Sequence, residues 1–314
     1  PFRLMLAGQS LIERPLHLTP SAASLQVRDL LAQADLAVTN LEVALDSGGG
    51  WPVRDTTSHV APESVLDTLA WFGFGAVALA SNHAFDLGPP GILAGLGATR
   101  QRGMLAAGTG PDAVTAGEPG FGLAASRRVA MVAVVAAENP PQSHALDAAG
   151  QLPARPGVNR LRVNIESGSG EPGHSVGGRW APEETDVMAL LRHTRAAARL
   201  TDVVVVYLHN HYWATPQERT PNWVREFARR CIDNGASVVL GHGTPVLQGL
   251  EFHRGHLIAY GLGSFVFHTH RPASYDAGAW ESLLVDADLG PDGTANEVRL
   301  HPVIHGCHPE RPGA

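Results

Sequence analysis

Apolar runs of strand length recur along this chain, and each stops on polar residues that carry chemistry. Arg3 to Ala7 ends at Gly8-Gln9-Ser10. Leu36 to Thr39 ends on Asn40-Leu41-Glu42. Gly75 to Ala80 delivers Ser81-Asn82-His83, with Asp86 one turn later. Val203 to Tyr207 ends on Leu208-His209-Asn210-His211, and Ser237 to Leu240 on Gly241-His242. Between the runs lie stretches with helical spacing: 20–34, 62–72 with Val65, Leu66, Leu69 and Phe72 on one face, 91–102, 182–200 and 222–234. Strands alternating with helices predict an α/β fold with a mostly parallel sheet, whose carboxyl edge is where such folds gather ligands. Gln9, Asn40, Glu42, Asn82, His83, Asp86, His209, His211 and His242 are therefore expected to converge.

Composition narrows the class. With 314 residues, 44% of them hydrophobic, the chain can bury a large core, and no composition shift marks a boundary, so residues 1–314 read as a single domain. Residues 139–178 are rich in Pro, Gly, Ser and Asn with little periodicity, and read as a long functional loop or lid. Segments 281–289 and 296–304 read as a closing antiparallel pair around Pro291-Asp292-Gly293. A net charge of −7 with no basic run argues against a nucleic-acid partner. All 23 basic residues are Arg. Without Lys there is no Schiff base to pyridoxal phosphate (PLP), no lysine nucleophile and no Walker A lysine. Cys231 lies in a helical pattern where it packs, and with Cys307 it makes neither a disulfide framework nor a Cys-rich metal site. No charged-then-apolar segment precedes the first strand, and no apolar run has the length of a membrane helix. The expectation is a soluble, cytoplasmic chain without a membrane partner; a homo-oligomer is compatible with it.

A single His near a strand end is more often a hydrogen-bonded structural residue than a catalyst, and a single Asn is often a turn residue. The same habit at every one of these strand ends favours a functional centre. Metal sites and acid–base sites both need groups converging from separate segments.

The order of Asn40-Leu-Glu42, Ser81-Asn-His-Ala-Phe-Asp-Leu-Gly88, Leu208-His209, Val246-Leu-Gln-Gly249 and Leu257-Ile-Ala-Tyr-Gly-Leu-Gly-Ser-Phe-Val-Phe267 resembles that of CapA-like proteins, some of which take part in poly-γ-glutamate capsule synthesis. The resemblance spans most of the chain. It implies the metallophosphatase fold, a four-layer αββα sandwich with its site at the strand ends.

The chain departs from that family at two places. The family's first Gly-Asp is Gly8-Gln9 here, and its His-Pro-His is Gly243-Thr244-Pro245. Glutamine is a poor anionic ligand, and Gly and Pro side chains cannot ligate, so a two-metal phosphatase centre is dismantled. Gln9, Asn40, Glu42 and Asn82 remain as metal ligands, and their oxygens suit a divalent Ca²⁺ or Mg²⁺. Imidazoles oriented by carboxylates are general acids and bases near neutral pH. His83 with Asp86, and a second base among His209, His211 and His242, would suit removing a proton from one face of a carbon and returning one to the other. The chain looks like the CapA-like branch that epimerises the carboxy-terminal residue of lasso-peptide precursors. A precursor peptide is then the expected partner. Trp51, Tyr212, Trp213 and His270 are candidate contacts for an aromatic residue, and Arg54 a candidate for its carboxylate. His301, His305 and His308 read as surface residues. The alternatives are a divergent metallophosphatase or capsule-polymer processing enzyme, and an inactive CapA-like protein that only binds peptide.

Overall fold

The apolar runs build two mixed sheets that share one core. The computed structural model describes residues 1–54, 57–165 and 180–306. In chain order the main strands are β1 (Phe2–Leu11), β2 (Leu36–Leu41), β3 (Phe74–Ala78), β4 (Leu105–Ala107), β5 (Gly120–Ala124), β6 (Arg127–Ala136), β7 (Val203–Asn210), β8 (Val238–His242), β9 (Leu250–His253), β10 (His256–Ala259), β11 (Ser264–Phe267), β12 (Glu281–Leu289) and β13 (Ala295–Ile304). The main helices are α1 (Ala22–Leu31), α2 (Val65–Phe72), α3 (Gly88–Gln101), α4 (Glu184–Ala198) and α5 (Asn222–Asp233). The first sheet runs β13-β12-β1-β2-β3-β4, with β11 pairing the far end of β1. The second runs β9-β10-β8-β7-β6-β5.

Strand periodicity decides the layers. Val129, Met131, Ala133 and Val135 of β6 and Val203, Val205 and Tyr207 of β7 join the core filled by β1, β2 and β3. The alternate residues, Val132, Val134, Val206 and Leu208, pack on α4 and α5 through Val187, Leu190, Trp223 and Phe227. On the outer side of the first sheet, Leu66 and Leu69 of α2 and Ile92 and Leu96 of α3 close the fourth layer. The αββα sandwich follows. Cys231 is fully buried in the outer core, as its helical pattern predicts. His209 continues the parity of Val203, Val205 and Tyr207, so it points between the sheets.

The strands run further than the apolar residues suggest. Gln9 lies inside β1, Asn40 inside β2, His209 inside β7 and His242 inside β8. Their backbones keep ladder partners, so polar side chains are carried into the interior on regular strands. The registers put Ser264, Gln9 and Asn40 in one row of the first sheet, and Val135, His209 and His242 in one row of the second. The polar residues therefore gather on two facing edges, not on the edge of one sheet. β5 and β9 are further antiparallel strands without an apolar run to announce them.

The described part of the 139–178 stretch does not stand off as a free lid. Asn159 N–H donates to Gly108 O at 2.9 Å, Leu161 N–H to Val135 O at 2.8 Å, and the Asn159 amide to Ala133 O at 2.8 Å, which staples it beside β6. Residues 166–179 lie outside the described residues, as do Cys307 and His308. Among the described residues no helix is long and apolar enough to cross a membrane.

Candidate metal and acid–base site

Asn82, His83 and Asp86 occupy the tight turns between β3 and α3. His83 Nδ1 lies 2.6 Å from Asp86 Oδ2. The same oxygen accepts the backbone N–H of His59 at 2.9 Å, and the Arg54 guanidinium Nε stands 3.1 Å from Asp86 Oδ1. A carboxylate oxygen can only accept from the imidazole here, so Nδ1 carries the proton and His83 Nε2 is left to act. Arg54 also donates to the carbonyl of Asn82. It braces the turn that carries the dyad.

Across the sheets, His209 is fully buried. Its Nδ1 lies 3.0 Å from Asn40 Oδ1, while the Asn40 amide nitrogen donates to Ala78 O at 2.7 Å and Ala80 O at 3.1 Å. Both ends of the Asn40 amide are thus committed. Asn40, expected as a ligand, orients one instead: His209 must donate from Nδ1 and present the lone pair of Nε2. That lone pair faces Asn82 Oδ1 at 2.9 Å, His211 Nε2 at 3.1 Å and Glu42 Oε1 at 3.7 Å. A lone pair and a carbonyl oxygen facing each other at 2.9 Å call for a cation between them, or for the Asn82 amide to turn its nitrogen inward.

The surroundings fit a cation. Glu42 Oε2, Gln9 Oε1 and both ring nitrogens of His242 are buried without a hydrogen-bond partner. Burial, with Asp86 nearby, pushes the Glu42 carboxyl well above its ordinary range, against a hydrogen bond from Gln9. Burial, then His211, His242 and His83, holds His209 well below an ordinary imidazole, and burial with His211 lowers His242 to about 3. Neutral imidazoles and a carboxyl strained by desolvation are the donors a divalent cation stabilises. The ligand atoms of Glu42, His209 and His211 lie within 4.8 Å of one another. Oxygen donors alone suit Ca²⁺ or Mg²⁺; with imidazoles among the donors, zinc, manganese and iron suit the set as well. Thr244 does not contribute, since its hydroxyl is turned to Gln217 Oε1 at 3.3 Å.

The candidate substrate contacts divide. Trp213 donates to Asn210 O at 2.8 Å and lays its ring 5.1 Å from that of His211. Tyr212 packs against Trp180 beside the outer core. Trp51 is 55% exposed, on the rim over Gly88. His270 binds Glu13 at 2.8 Å. His305 is half-buried rather than fully exposed: its ring donates to Ser264 O at 2.6 Å. The sequence reading overlooked Glu13 and His59. They lie 2.6 Å apart, and the His59 ring meets that of His83 edge-on at 4.5 Å. Glu13 lies two residues beyond β1 and His59 directly before the short strand Val60–Pro62, places that no apolar run announces.

Fold and site together define an α/β sandwich of the metallophosphatase type whose facing strand ends carry metal-ligand-type side chains. The chain belongs to the bacterial capsule synthesis protein PGA_cap family, whose model matches residues 3–269. It is 26% identical to the Sinorhizobium fredii protein y4sH over 85% of this chain and 66% of that protein. It is 35% identical to the PGA biosynthesis protein CapA of Bacillus subtilis, over 36% of this chain and 28% of that one. The chain thus spans about two thirds or less of the curated relatives it matches. Among solved structures, a hypothetical protein from Thermus thermophilus aligns with a TM-score of 0.54 at 14% identity, covering 97% of this chain and 100% of that one. A novel phosphatase from Mycoplasma pneumoniae also gives 0.54, at 12% identity, over 96% of this chain and 93% of that one. At such identities these structures speak to the fold alone.

Proposed function

We propose that the chain is a metal-assisted acid–base enzyme that inverts a Cα centre in a peptide, at the carboxy-terminal residue of a ribosomal precursor of the lasso-peptide kind. The carrying observation is the His83–Asp86 dyad standing beside a cluster of metal-ligand-type donors, where Gln9, Gly243 and Pro245 stand in place of the ligands a second metal would need. Glu42, Asn82 and His209 would hold the cation, which leaves His211 Nε2 outside its donor set. When bound, it would polarise the carbonyl next to the reacting carbon. His83 Nε2 takes the α-proton, and Asp86 holds the resulting imidazolium on its Nδ1–H. His211, carried by the opposite sheet, is the group suited to return a proton from the other side. Arg54 is already engaged with Asp86 and Asn82, so the substrate carboxylate needs another partner.

Peptide incubation in deuterated buffer tests this. Inversion with incorporation of one deuteron at Cα is expected, and His83→Ala or His211→Ala should lose inversion while exchange persists for only one epimer. No deuterium in any candidate precursor would refute it.

Hydrolysis is the second reading. An imidazole dyad next to a cation can equally protonate a leaving group, and the names of the Bacillus and Mycobacterium relatives, concerned with PGA biosynthesis and polyglutamine synthesis, point to poly-amino-acid chains. Cleavage of γ-glutamyl peptides or of a nitrophenyl phosphate in the presence of Mn²⁺ or Zn²⁺, without Cα exchange, would select it.

A further inference from the structure

Next to the dyad lies a second group of ligand-type side chains that the proposed reaction does not use. Glu13 follows β1, His59 precedes the short strand Val60–Pro62, and His270 follows β11. Their ligand atoms lie within 4.8 Å of one another. His59 Nδ1 lies 2.6 Å from Glu13 Oε1, and His270 Nε2 lies 2.8 Å from both Glu13 oxygens, so the two imidazoles converge on one carboxylate. The two rings are tilted against each other at 4.8 Å.

Backbone anchors fix all three segments. Glu13 N–H donates to His268 Nδ1 at 3.0 Å, and His59 N–H to Asp86 Oδ2 at 2.9 Å. Two residues before His270, His268 N–H donates to Leu11 O at 2.9 Å. Such anchoring gives the donors fixed origins, which a metal site needs and a casual surface ion pair lacks.

We propose that Glu13, His59 and His270 form a cation site of their own, for a transition metal such as zinc, distinct from the Glu42–His209 set. Two imidazoles and one carboxylate are a donor set for zinc, iron or manganese, and too rich in nitrogen for Ca²⁺ or Mg²⁺. The rival arrangement, two N–H donors on one carboxylate, requires both rings to carry a proton on the facing nitrogen. A neutral ring has one lone pair to offer, and it becomes a ligand when a cation displaces the proton. Ligands about 2.0–2.1 Å from a tetrahedral metal stand roughly 3.3 Å apart, so the donors must open by about half an ångström. The His270 side chain, 51% exposed, has that freedom and gives the ion a way in from solvent. A metal here would hold His59 one ring contact from His83. It would also steady the His59 N–H on Asp86.

Titration of the chelator-stripped chain with Zn²⁺ by calorimetry, and with Co²⁺ by visible absorption, tests the site. Wild type should take up one equivalent that depends on Glu13 and His270 and another that depends on Glu42. Glu13→Gln and His270→Ala should each lose the first and keep the second, with near-ultraviolet circular dichroism unchanged. Glu42→Gln should do the reverse. If both Glu13→Gln and His270→Ala retain wild-type stoichiometry, the Glu13 site is refuted. If Glu42→Gln changes nothing while Glu13→Gln loses an equivalent, the Glu13 site stands and the reading of the Glu42 centre fails.

Discussion

Asn40 and His209 join the two sheets through one hydrogen bond, 3.0 Å from amide oxygen to Nδ1. Asn40 can only accept there, because its nitrogen is spent on the carbonyls of Ala78 and Ala80. One amide on β2 thereby sets the tautomer of an imidazole on β7. Asn40→Leu removes that orientation while keeping the branching at Cγ. It should weaken metal binding by about 10–100-fold and leave the sheets assembled. Dissociation constants for Zn²⁺ and Mn²⁺ in wild type and variant measure it, and equal affinities would show that Asn40 has no part in orienting His209.

The His83–Asp86 pair predicts a different loss. Asp86→Asn keeps the shape but removes the group that holds an imidazolium on Nδ1. Turnover should fall by about 10²–10⁴-fold, with the substrate's KM little changed. His83→Ala should abolish turnover and leave the circular dichroism spectrum intact. Substantial retained activity in His83→Ala would remove it from the chemistry.

The sandwich was legible because its inner strands are unbroken apolar runs: Val129 to Val135 and Val203 to Tyr207 allow few other readings. The edge strands were not. Between β9 and β10 the chain turns at Arg254 and Gly255, with φ of 53° and 83°, and arginine is an uncommon residue for that conformation, so the hairpin carries no familiar turn signal. At the site, Asn82, His83 and Asp86 announce themselves by close spacing. Asn40 could be seen, but its role could not, because that role depends on the β2–β3 register that brings Ala78 beside it. Glu13 and His59 stand 46 positions apart on segments without periodicity, and only the tertiary fold brings them to His83.

Acid should destabilise the metal-free chain well before its surface carboxylates titrate. Burial first, with neighbouring arginines, holds His144 and His268 at about 4, and burial holds His242 at about 3. Unfolded, each takes a proton below about 6.5. Over that window the unfolded state binds more protons, so stability is lost as pH falls from about 6.5 towards 4. Glu42 acts oppositely: its raised carboxyl keeps a proton in the folded chain that the unfolded chain has released, and this stabilisation is lost as pH rises. Three imidazoles outweigh one carboxyl, so the net slope is set by the histidines. Urea midpoints in EDTA should drop between pH 7 and pH 5; constant midpoints would contradict the buried, neutral imidazoles.

Gln9 offers the sharpest probe of the proposed centre. It neighbours Asn40 and Ser264 in register, is 3% exposed, and leaves its carbonyl oxygen without a partner while its amide supports Glu42. Gln9→Asp puts an anionic oxygen near that position and removes the amide donor. Without metal, a further buried negative charge joins Glu42 and Asp86, and like charges in a desolvated space are costly. The melting temperature of the stripped variant should therefore fall several degrees below wild type. With Mn²⁺ or Zn²⁺ the same oxygen becomes a ligand, so saturating metal should raise the variant's melting temperature by more than it raises that of wild type. The difference between the two metal-induced shifts isolates the new carboxylate, because every other donor is shared. An equal shift in both proteins would mean that Gln9 does not border the cation position, and the proposed centre would have to be drawn without the β1 strand.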